Sequence, residues 1–108
     1  MAHAGVAPAL DGVRERHGEV YVIVAPPRTA STALARILWN HEQVGFYSHE
    51  PFEATWYQHA PLERAAELLA VPVPVAELGG RGGGRQLIVK EMTFQVGDAF
   101  PLLAGLAT

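Results

Sequence analysis

One segment of this chain, residues 20–32, combines an apolar run, a double proline and a cluster of small hydroxyl residues. The run Val20–Ala25 is continuous and rich in β-branched residues, which is typical of a buried strand in a parallel sheet. Pro26 and Pro27 end it, and an amphipathic helix pattern begins at Ser31. A helix that starts directly after such a strand directs its free N–H groups toward the carboxyl end of the strand, where they can bind an anion.

Apolar runs and amphipathic patterns alternate along the rest of the chain. Residues 44–47 and 87–89 predict two further short strands, and residues 61–70 predict a helix with proline in its first turn. The helix predicted over residues 31–41 has one apolar face, which we expect to pack on the sheet: Leu34, Ile37, Leu38 and His41. Strands that alternate with helices predict an α/β fold with a parallel sheet and flanking helices.

Length, charge and cysteine content exclude several classes of protein. A chain of 108 residues forms one domain, and its net charge of −3 offers no basic field for nucleic acid or an anionic membrane. The chain has no cysteine, which excludes disulfides and thiolate metal sites. The first residues lack the regions of a signal peptide, and no apolar run approaches the roughly 20 residues that span a bilayer. We therefore expect a cytoplasmic protein with no nucleic-acid or membrane partner.

The turn at residues 26–32 offers several ways to hold an anion. Small residues let an anion approach the backbone, hydroxyl groups add donors, and Arg28 adds a planar positive charge. The nucleotide-triphosphate loop GxxxxGK[ST] would place glycine at Ala25 and Ala30 and lysine at Ser31. Because that lysine is missing, phosphoryl transfer from ATP or GTP is disfavoured. The alternative is an ordinary strand–turn–helix connection with an exposed arginine.

These residues carry a resemblance to a known family. The run Pro27-Arg28-Thr29-Ala30-Ser31-Thr32, the helix after it and an acidic turn resemble the N-terminal part of a sulfotransferase that uses 3′-phosphoadenosine 5′-phosphosulfate. The match covers residues 20–53 well and residues 86–100 loosely. The resemblance implies a P-loop NTPase-like three-layer sandwich that transfers a sulfuryl group to a hydroxyl or amine acceptor. It also implies that residues 27–32 bind the 5′-phosphosulfate and that Arg28 neutralises charge on the leaving oxygen.

Ala30 departs from the family pattern, because the loop of these enzymes usually has glycine at this position. A positive φ at Ala30 would strain the backbone, whereas a helical conformation would not. The sequence leaves both conformations open.

A polar turn, Ser48–Glu53, follows the second predicted strand. The resemblance implies that Glu50 is the general base that takes the proton of the acceptor, and we expect burial to raise its pKa toward neutrality. His49 is the rival base, because histidine titrates near neutral pH. Glu53 is the third candidate, although a solvated surface position suits it better. The turn superficially matches HExxH, but Pro51 breaks the helix that this motif needs, so we expect no metal.

Side chains outside these two turns are less informative. Trp56, Phe52 and Tyr57 could line an acceptor pocket, whereas core packing is favoured for Trp39. Lys90 and Glu91 follow the third predicted strand, where they either contact a ligand or form a solvated strand end. Residues 1–18 form a polar lead-in with a short helical turn near Asp11–His17, and residues 79–85 predict a flexible glycine-rich loop.

The resemblance does not include the 3′-phosphate site of sulfotransferases. Sulfotransferases are longer than this chain, and the arginine and serine of their 3′-phosphate site follow a later strand. We therefore expect residues 1–108 to be a single, truncated domain that binds the 5′ end of the donor weakly. Its exposed sheet edge would permit self-association. The alternative from another functional class is a non-catalytic anion-binding or interaction module that retains only the loop.

Overall fold

A four-stranded sheet forms the centre of the molecule. The computed structural model describes residues 6–26 and 29–107, and side chains from residue 8 onward. In these ranges the strands are β1 (Val20–Ala25), β2 (Val44–His49), β3 (Val73–Pro74) and β4 (Gln86–Met92). Their spatial order is β1-β4-β2-β3. β4 pairs in parallel with β1 and with β2, and the short β3 pairs antiparallel with β2. This confirms the predicted α/β class and its mainly parallel sheet.

Six helices flank the sheet within the described ranges. They are α1 (Val6–His17), α2 (Ser31–Leu38), α3 (Glu53–Gln58), α4 (Leu62–Ala70), α5 (Thr93–Val96) and α6 (Phe100–Gly105). Short 3₁₀ turns occupy Val75–Leu78 and Gly97–Ala99. The first helix spans twelve residues, whereas the sequence predicted only a short turn there. No described helix is both long and apolar enough to span a bilayer.

Two apolar clusters lie on opposite faces of the sheet, because successive side chains of a strand alternate between its faces. Leu87 and Val89 of β4 join the larger cluster, to which α1, α4 and α6 contribute Leu10, Leu69 and Leu103. Ile88 joins the smaller cluster, with Ala35 of α2, Trp39, Val44, Tyr47 and Val75. The helices therefore cover both faces of the sheet. The core position expected for Trp39 is confirmed.

The face of α2 that packs on the sheet differs from the predicted one. Ser31 and Ala35 are buried, whereas Leu34 and Ile37 are 47% and 70% exposed. Of the predicted face, Leu38 is half-buried and packs against the smaller cluster. His41 is also exposed, and the helix ends at Leu38. The physical reason is tertiary: small side chains let the helix approach the strands closely, and β1 lies at the edge of the sheet. No described strand lies beyond β1 to cover the predicted apolar face.

The glycine-rich loop is packed against backbone, contrary to the flexible loop that its composition predicted. Gly82 is buried, and its amide donates to the Trp39 carbonyl at 3.2 Å. A Cβ at Gly82 would lie 1.9 Å from the Val44 carbonyl oxygen, and one at Gly45 would lie 1.7 Å from the Gly84 carbonyl oxygen. Glycine is therefore required where this loop crosses the start of β2.

Candidate functional site

The turn between β1 and α2 is described in part. Pro27 and Arg28 lie outside the described residues, so their assignment to the anion site stays a prediction. Thr29 is exposed, and its hydroxyl donates to the carbonyl oxygen of Pro26 at 2.9 Å. This hydrogen bond ties the far side of the turn back to the end of the strand.

The first turn of α2 presents free backbone donors. The amide of Leu34 donates to the carbonyl of Ala30 at 3.1 Å, and no side chain caps the helix. The amides of residues 31–33 therefore lack an intrahelical partner, as at any helix start. Ala30 and Thr29 are exposed, Thr32 is half-buried, and Ser31 is buried on the sheet side of α2. Among the described residues of this turn, the accessible donors are the backbone amides and the hydroxyls of Thr29 and Thr32.

Ala30 has a left-handed backbone conformation, with φ 61° and ψ 25°. Of the two conformations that the sequence left open, the structure therefore has the strained one. A left-handed residue is one half of the backbone pattern of an anion-binding nest, in which consecutive amides turn toward one point. The conformation costs a non-glycine residue about 1–2 kcal/mol.

We expect Ala30→Gly to raise the free energy of unfolding by about 0.5–1 kcal/mol, because glycine adopts positive φ without strain. Glycine also gives the unfolded chain more conformational freedom, and this offsets part of the stability gained by removing the backbone strain. The matched control is Ala33→Gly, at an exposed position within the same helix, which should lower stability by about 1 kcal/mol. Urea denaturation of both variants measures the difference. Equal losses in the two variants would contradict a left-handed Ala30.

A cluster of charged side chains lies at the carboxyl end of β2. Glu50 follows the strand with a positive φ of 49°, and its amide donates to the Lys90 carbonyl at 2.7 Å. Its carboxylate oxygen Oε2 accepts from Lys90 Nζ at 2.8 Å and lies 3.0 Å from His49 Nε2. The Lys90 side chain is only 1% exposed. Lys90 and Glu50 thus form a buried ion pair. Of the two alternatives left open for Lys90 and Glu91, the solvated strand end is wrong, because both residues are buried.

The pKa of Glu50 lies below its usual value, so the expected upward shift is wrong. Burial raises this pKa, but the hydrogen bond and charge of Lys90 outweigh burial, with help from His49 and the Gln95 side chain. Lys90, the partner that makes this burial possible, is distant in the chain and gives no local signal. Glu50 is therefore ionised at neutral pH and can accept a proton, although Lys90 weakens it as a base.

His49 links Glu50 to Tyr47. Its Nδ1 atom lies 2.7 Å from the Tyr47 hydroxyl, and its side chain is half-exposed. Burial raises the pKa of Tyr47 to about 12, with smaller contributions from the charges of Glu50 and Glu91. Tyr47 therefore keeps its proton, and the two ring nitrogens of His49 lie against the Tyr47 hydroxyl and the Glu50 carboxylate. Glu53, the third predicted base, is exposed in the first turn of α3.

Glu91 is a buried carboxyl that the sequence did not assign to this site. It is fully buried, and it accepts from the amides of Phe52 at 2.8 Å and Met92 at 2.9 Å. Burial raises its pKa to about 7, against the effect of the two hydrogen bonds. Glu91 thus fixes the turn that carries Glu50. No signal in the sequence indicates this burial, because the apolar run ends at Val89 whereas β4 runs to Met92.

The two turns belong to the same edge of the sheet. β1, β4 and β2 are parallel, with Ala25 paired to Met92 and His49 paired to Lys90. The chain leaves β1 toward α2 on one face, and it leaves β4 toward α6 on the other face. Open α/β sheets bind ligands in the crevice where neighbouring connections diverge in this way. The start of α2 and the Glu50 cluster therefore both lie at the carboxyl edge of the sheet, which is the edge where such folds bind ligands.

A cavity of about 420 Å³ lies beside this cluster, between α3, α4 and the segment after β4. Its lining includes Thr55, Trp56, Leu62, Gln95, Val96 and Asp98. Thr55 Oγ1 and Gln95 Oε1 are buried and have no hydrogen-bond partner in the described part of the chain. Of the aromatic residues predicted for an acceptor pocket, Trp56 lines this cavity. Phe52 is in the larger core cluster, and Tyr57 is exposed against Phe94.

Within residues 6–26 and 29–107, no three His, Asp or Glu side chains converge into a group that could hold a metal ion. Comparisons with protein-family models, curated proteins and solved structures give no significant match. The function proposed below therefore depends on the sequence motif and on the geometry of this sheet edge.

Proposed function

We propose that this chain binds the 5′-phosphosulfate of 3′-phosphoadenosine 5′-phosphosulfate and transfers its sulfuryl group to a hydroxyl or amine. One observation carries the proposal: an uncapped helix start and an ionised, hydrogen-bonded glutamate lie at the same carboxyl edge of a parallel sheet. The helix start can hold an anion, and the glutamate can accept a proton. A P-loop NTPase-like architecture is part of this proposal.

The donor side depends on the turn before α2. The free amides of residues 31–33 and the hydroxyls of Thr29 and Thr32 would bind the sulfate oxygens, because the positive end of the helix dipole favours an anion there. Arg28 would stabilise the charge that develops on the bridging oxygen. A sulfuryl group carries less charge than a phosphoryl group, so an arginine and a helix terminus can act without magnesium.

The acceptor side depends on Glu50. In the proposed reaction the acceptor oxygen or nitrogen forms a bond to sulfur, and the bond between sulfur and the bridging oxygen breaks. The acceptor proton passes to the Glu50 carboxylate. Both ring nitrogens of His49 already have partners, Tyr47 and Glu50, so we assign His49 and Lys90 to positioning the carboxylate.

The cavity beside Glu50 is the proposed position of the acceptor. Gln95 belongs both to its lining and to the surroundings of the Glu50 carboxylate. The unpartnered oxygens of Thr55 and Gln95 favour a ligand that carries O–H or N–H donors, and the ring of Trp56 offers an apolar wall. This volume accommodates a small molecule.

One observation favours the alternative of a non-catalytic anion-binding module. The Glu50 carboxylate is already held by Lys90 and His49, and its pKa is lowered. A carboxylate in this state accepts a proton less readily than one in an apolar pocket. A module would bind the donor through the turn before α2, and the ion pair would serve only the fold.

Radiolabelled donor distinguishes the two functions when binding and turnover are measured on the same preparation. For an enzyme, we expect Arg28→Ala to weaken donor binding by at least about tenfold, which is the loss of one charge-assisted contact. Glu50→Gln should leave donor binding intact and lower turnover by about 10²-fold or more. The control is Arg36→Ala, which removes an exposed arginine from the last turn of α2.

The combined binding and turnover results decide between the enzyme and the binding module. Binding that depends on Arg28, without turnover over a panel of hydroxyl and amine acceptors, supports the module. No binding by a folded chain, or equal effects of Arg28→Ala and Arg36→Ala, rejects both functions.

A further inference from the structure

β1 forms an open edge of the sheet. Among the described residues, this strand pairs with β4 only. The amide of Leu87 donates to the carbonyl of Glu19, so the backbone groups of Glu19, Tyr21 and Ile23 point toward β4. Because successive peptide groups alternate in direction, the N–H and C=O groups of Val20, Val22 and Val24 point away from the sheet.

The usual protections of an edge strand are missing from β1. Proteins commonly guard an exposed edge with lysine, proline or a bulge. The strand Val20–Ala25 contains no charge and no proline, and its pairing with β4 is regular over six residues. Its side chains from residue 21 to 25 are half-buried or exposed. This edge is therefore suited to pairing with a further strand.

An apolar flank of α2 extends the same edge. Trp39, at the end of this helix, packs against Tyr47 of β2 with ring centroids 4.9 Å apart. The opposite flank, Leu34 and Ile37, therefore lies on the side of β1. Tyr21 is also exposed there, and a groove of about 500 Å³ runs along β1 between Arg14, Leu38 and Leu106.

We propose that a second copy of this chain occupies the edge, with the two β1 strands antiparallel across a two-fold axis at Val22. In this register Val22 faces Val22 of the second copy and Val20 faces Val24, so every outward backbone group gains a partner. A register centred on Ile23 would instead place Val20 against Pro26, which has no N–H to donate. The register at Val22 also sets Tyr21 beside Ile23 on the α2 face.

Symmetry favours a second copy over an unrelated strand. A two-fold axis perpendicular to the sheet places both α2 helices on one face, so the exposed Leu34 and Ile37 of one copy approach those of the other. The antiparallel direction also keeps the two Glu19 side chains at opposite ends of the interface. This single contact pairs the β1 edge of each copy and covers the exposed Leu34 and Ile37 of each copy.

The size of the edge sets the expected strength of the dimer. A six-residue strand is about 20 Å long. A strip of this length and as wide as the smallest extent of the molecule, 22 Å, has an area of roughly 400 Å² per copy. Stable dimers bury about 800 Å² per partner. We therefore expect a weak dimer, with a dissociation constant on the order of 10 μM.

Sedimentation equilibrium from micromolar to millimolar loading tests the dimer with a matched pair of variants. Ile37→Lys and Val71→Lys change side chains that are 70% and 71% exposed, the first on the β1 side and the second just before β3 at the opposite edge. We expect Ile37→Lys to raise the dissociation constant at least about tenfold, whereas Val71→Lys leaves it within about twofold. A wild-type chain that stays monomeric at every loading overturns the proposal, as do equal effects of the two variants.

Cysteine scanning tests the register independently of any charge. The chain has no cysteine, so one introduced thiol can form a disulfide only with a second copy. Directly opposed residues of a hydrogen-bonded pair have Cα atoms about 5.5 Å apart, within disulfide range. We expect Val22→Cys to form a disulfide dimer faster than Tyr21→Cys, although Tyr21 is more exposed. The reverse order overturns the register, and circular dichroism of each variant confirms that it is folded.

Discussion

Glu50→Gln is expected to lower the free energy of unfolding by about 3 kcal/mol, because it leaves the Lys90 ammonium buried without its carboxylate. The Lys90 side chain is 1% exposed, and its ammonium also donates to the weak acceptor Met92 Sδ at 3.8 Å. Glutamine keeps the shape of Glu50 and one acceptor oxygen, so the loss reports charge more than packing. Chemical denaturation at neutral pH measures it.

The double variant Glu50→Gln/Lys90→Met separates the ion pair from the individual side chains. Replacement of a buried ion pair by neutral groups of similar volume is often close to neutral. We therefore expect the double variant to be more stable than Glu50→Gln alone, with a coupling energy of about 1–3 kcal/mol. Simple addition of the two single losses would show that Lys90 and Glu50 do not depend on each other.

This ion pair also affects how turnover is to be measured. Because Glu50→Gln removes both a proposed base and a structural partner, its activity must be normalised to the folded fraction at the assay temperature. A variant that is fully folded, binds donor and turns over slowly assigns Glu50 to proton transfer. A variant that recovers turnover when Lys90→Met restores stability assigns Glu50 to the fold.

Gly82→Ala is expected to lower the free energy of unfolding by about 3 kcal/mol, whereas Gly83→Ala should be neutral or slightly stabilising. A Cβ at Gly82 would lie 1.9 Å from the Val44 carbonyl oxygen and 2.8 Å from those of His41 and Trp39. These are backbone atoms, so the loop must move away from β2. A Cβ at Gly83 meets nothing within 4 Å, and Gly83 is not among the residues with positive φ.

The pair Gly82 and Gly83 tests whether this loop is packed or mobile. Both substitutions add the same methyl group to neighbouring residues of one glycine run, so their effects on the unfolded chain are similar. A mobile loop would give two small and equal effects in thermal or urea denaturation. A large difference confined to Gly82 identifies the close approach of backbone that the structure contains.

Much of the fold could be predicted from the sequence. The apolar runs at residues 20–25 and 44–47 are confirmed as strands, and the helix predicted over residues 61–70 matches α4 (Leu62–Ala70). The run at residues 87–89 is confirmed within a longer strand, β4. These elements could be predicted because hydrophobic periodicity and proline positions act over a few residues. The assignment of an anion-binding turn and of sulfuryl transfer stays a prediction.

The residue types of the candidate site could be predicted from the sequence, but their pKa values and burial could not. Glu50 and His49 were chosen for their chemistry, yet the partner that lowers the Glu50 pKa, Lys90, lies 40 residues away in the chain. Burial of Glu91 and its contact with the Phe52 amide likewise required the pairing of β4 beside β2. No local pattern reports such contacts, because they depend on strand order.

The sequence by itself determined where β1, β2, β4 and α4 lie, and it placed the small hydroxyl residues of the first turn directly after β1. Local sterics and the spacing of apolar residues suffice for both, because each acts within one element. The tertiary structure alone decided which face of α2 is buried, which carboxylates are ionised and which glycines are indispensable. Each of these depends on atoms that distant segments bring together, and the order β1-β4-β2-β3 sets those neighbours.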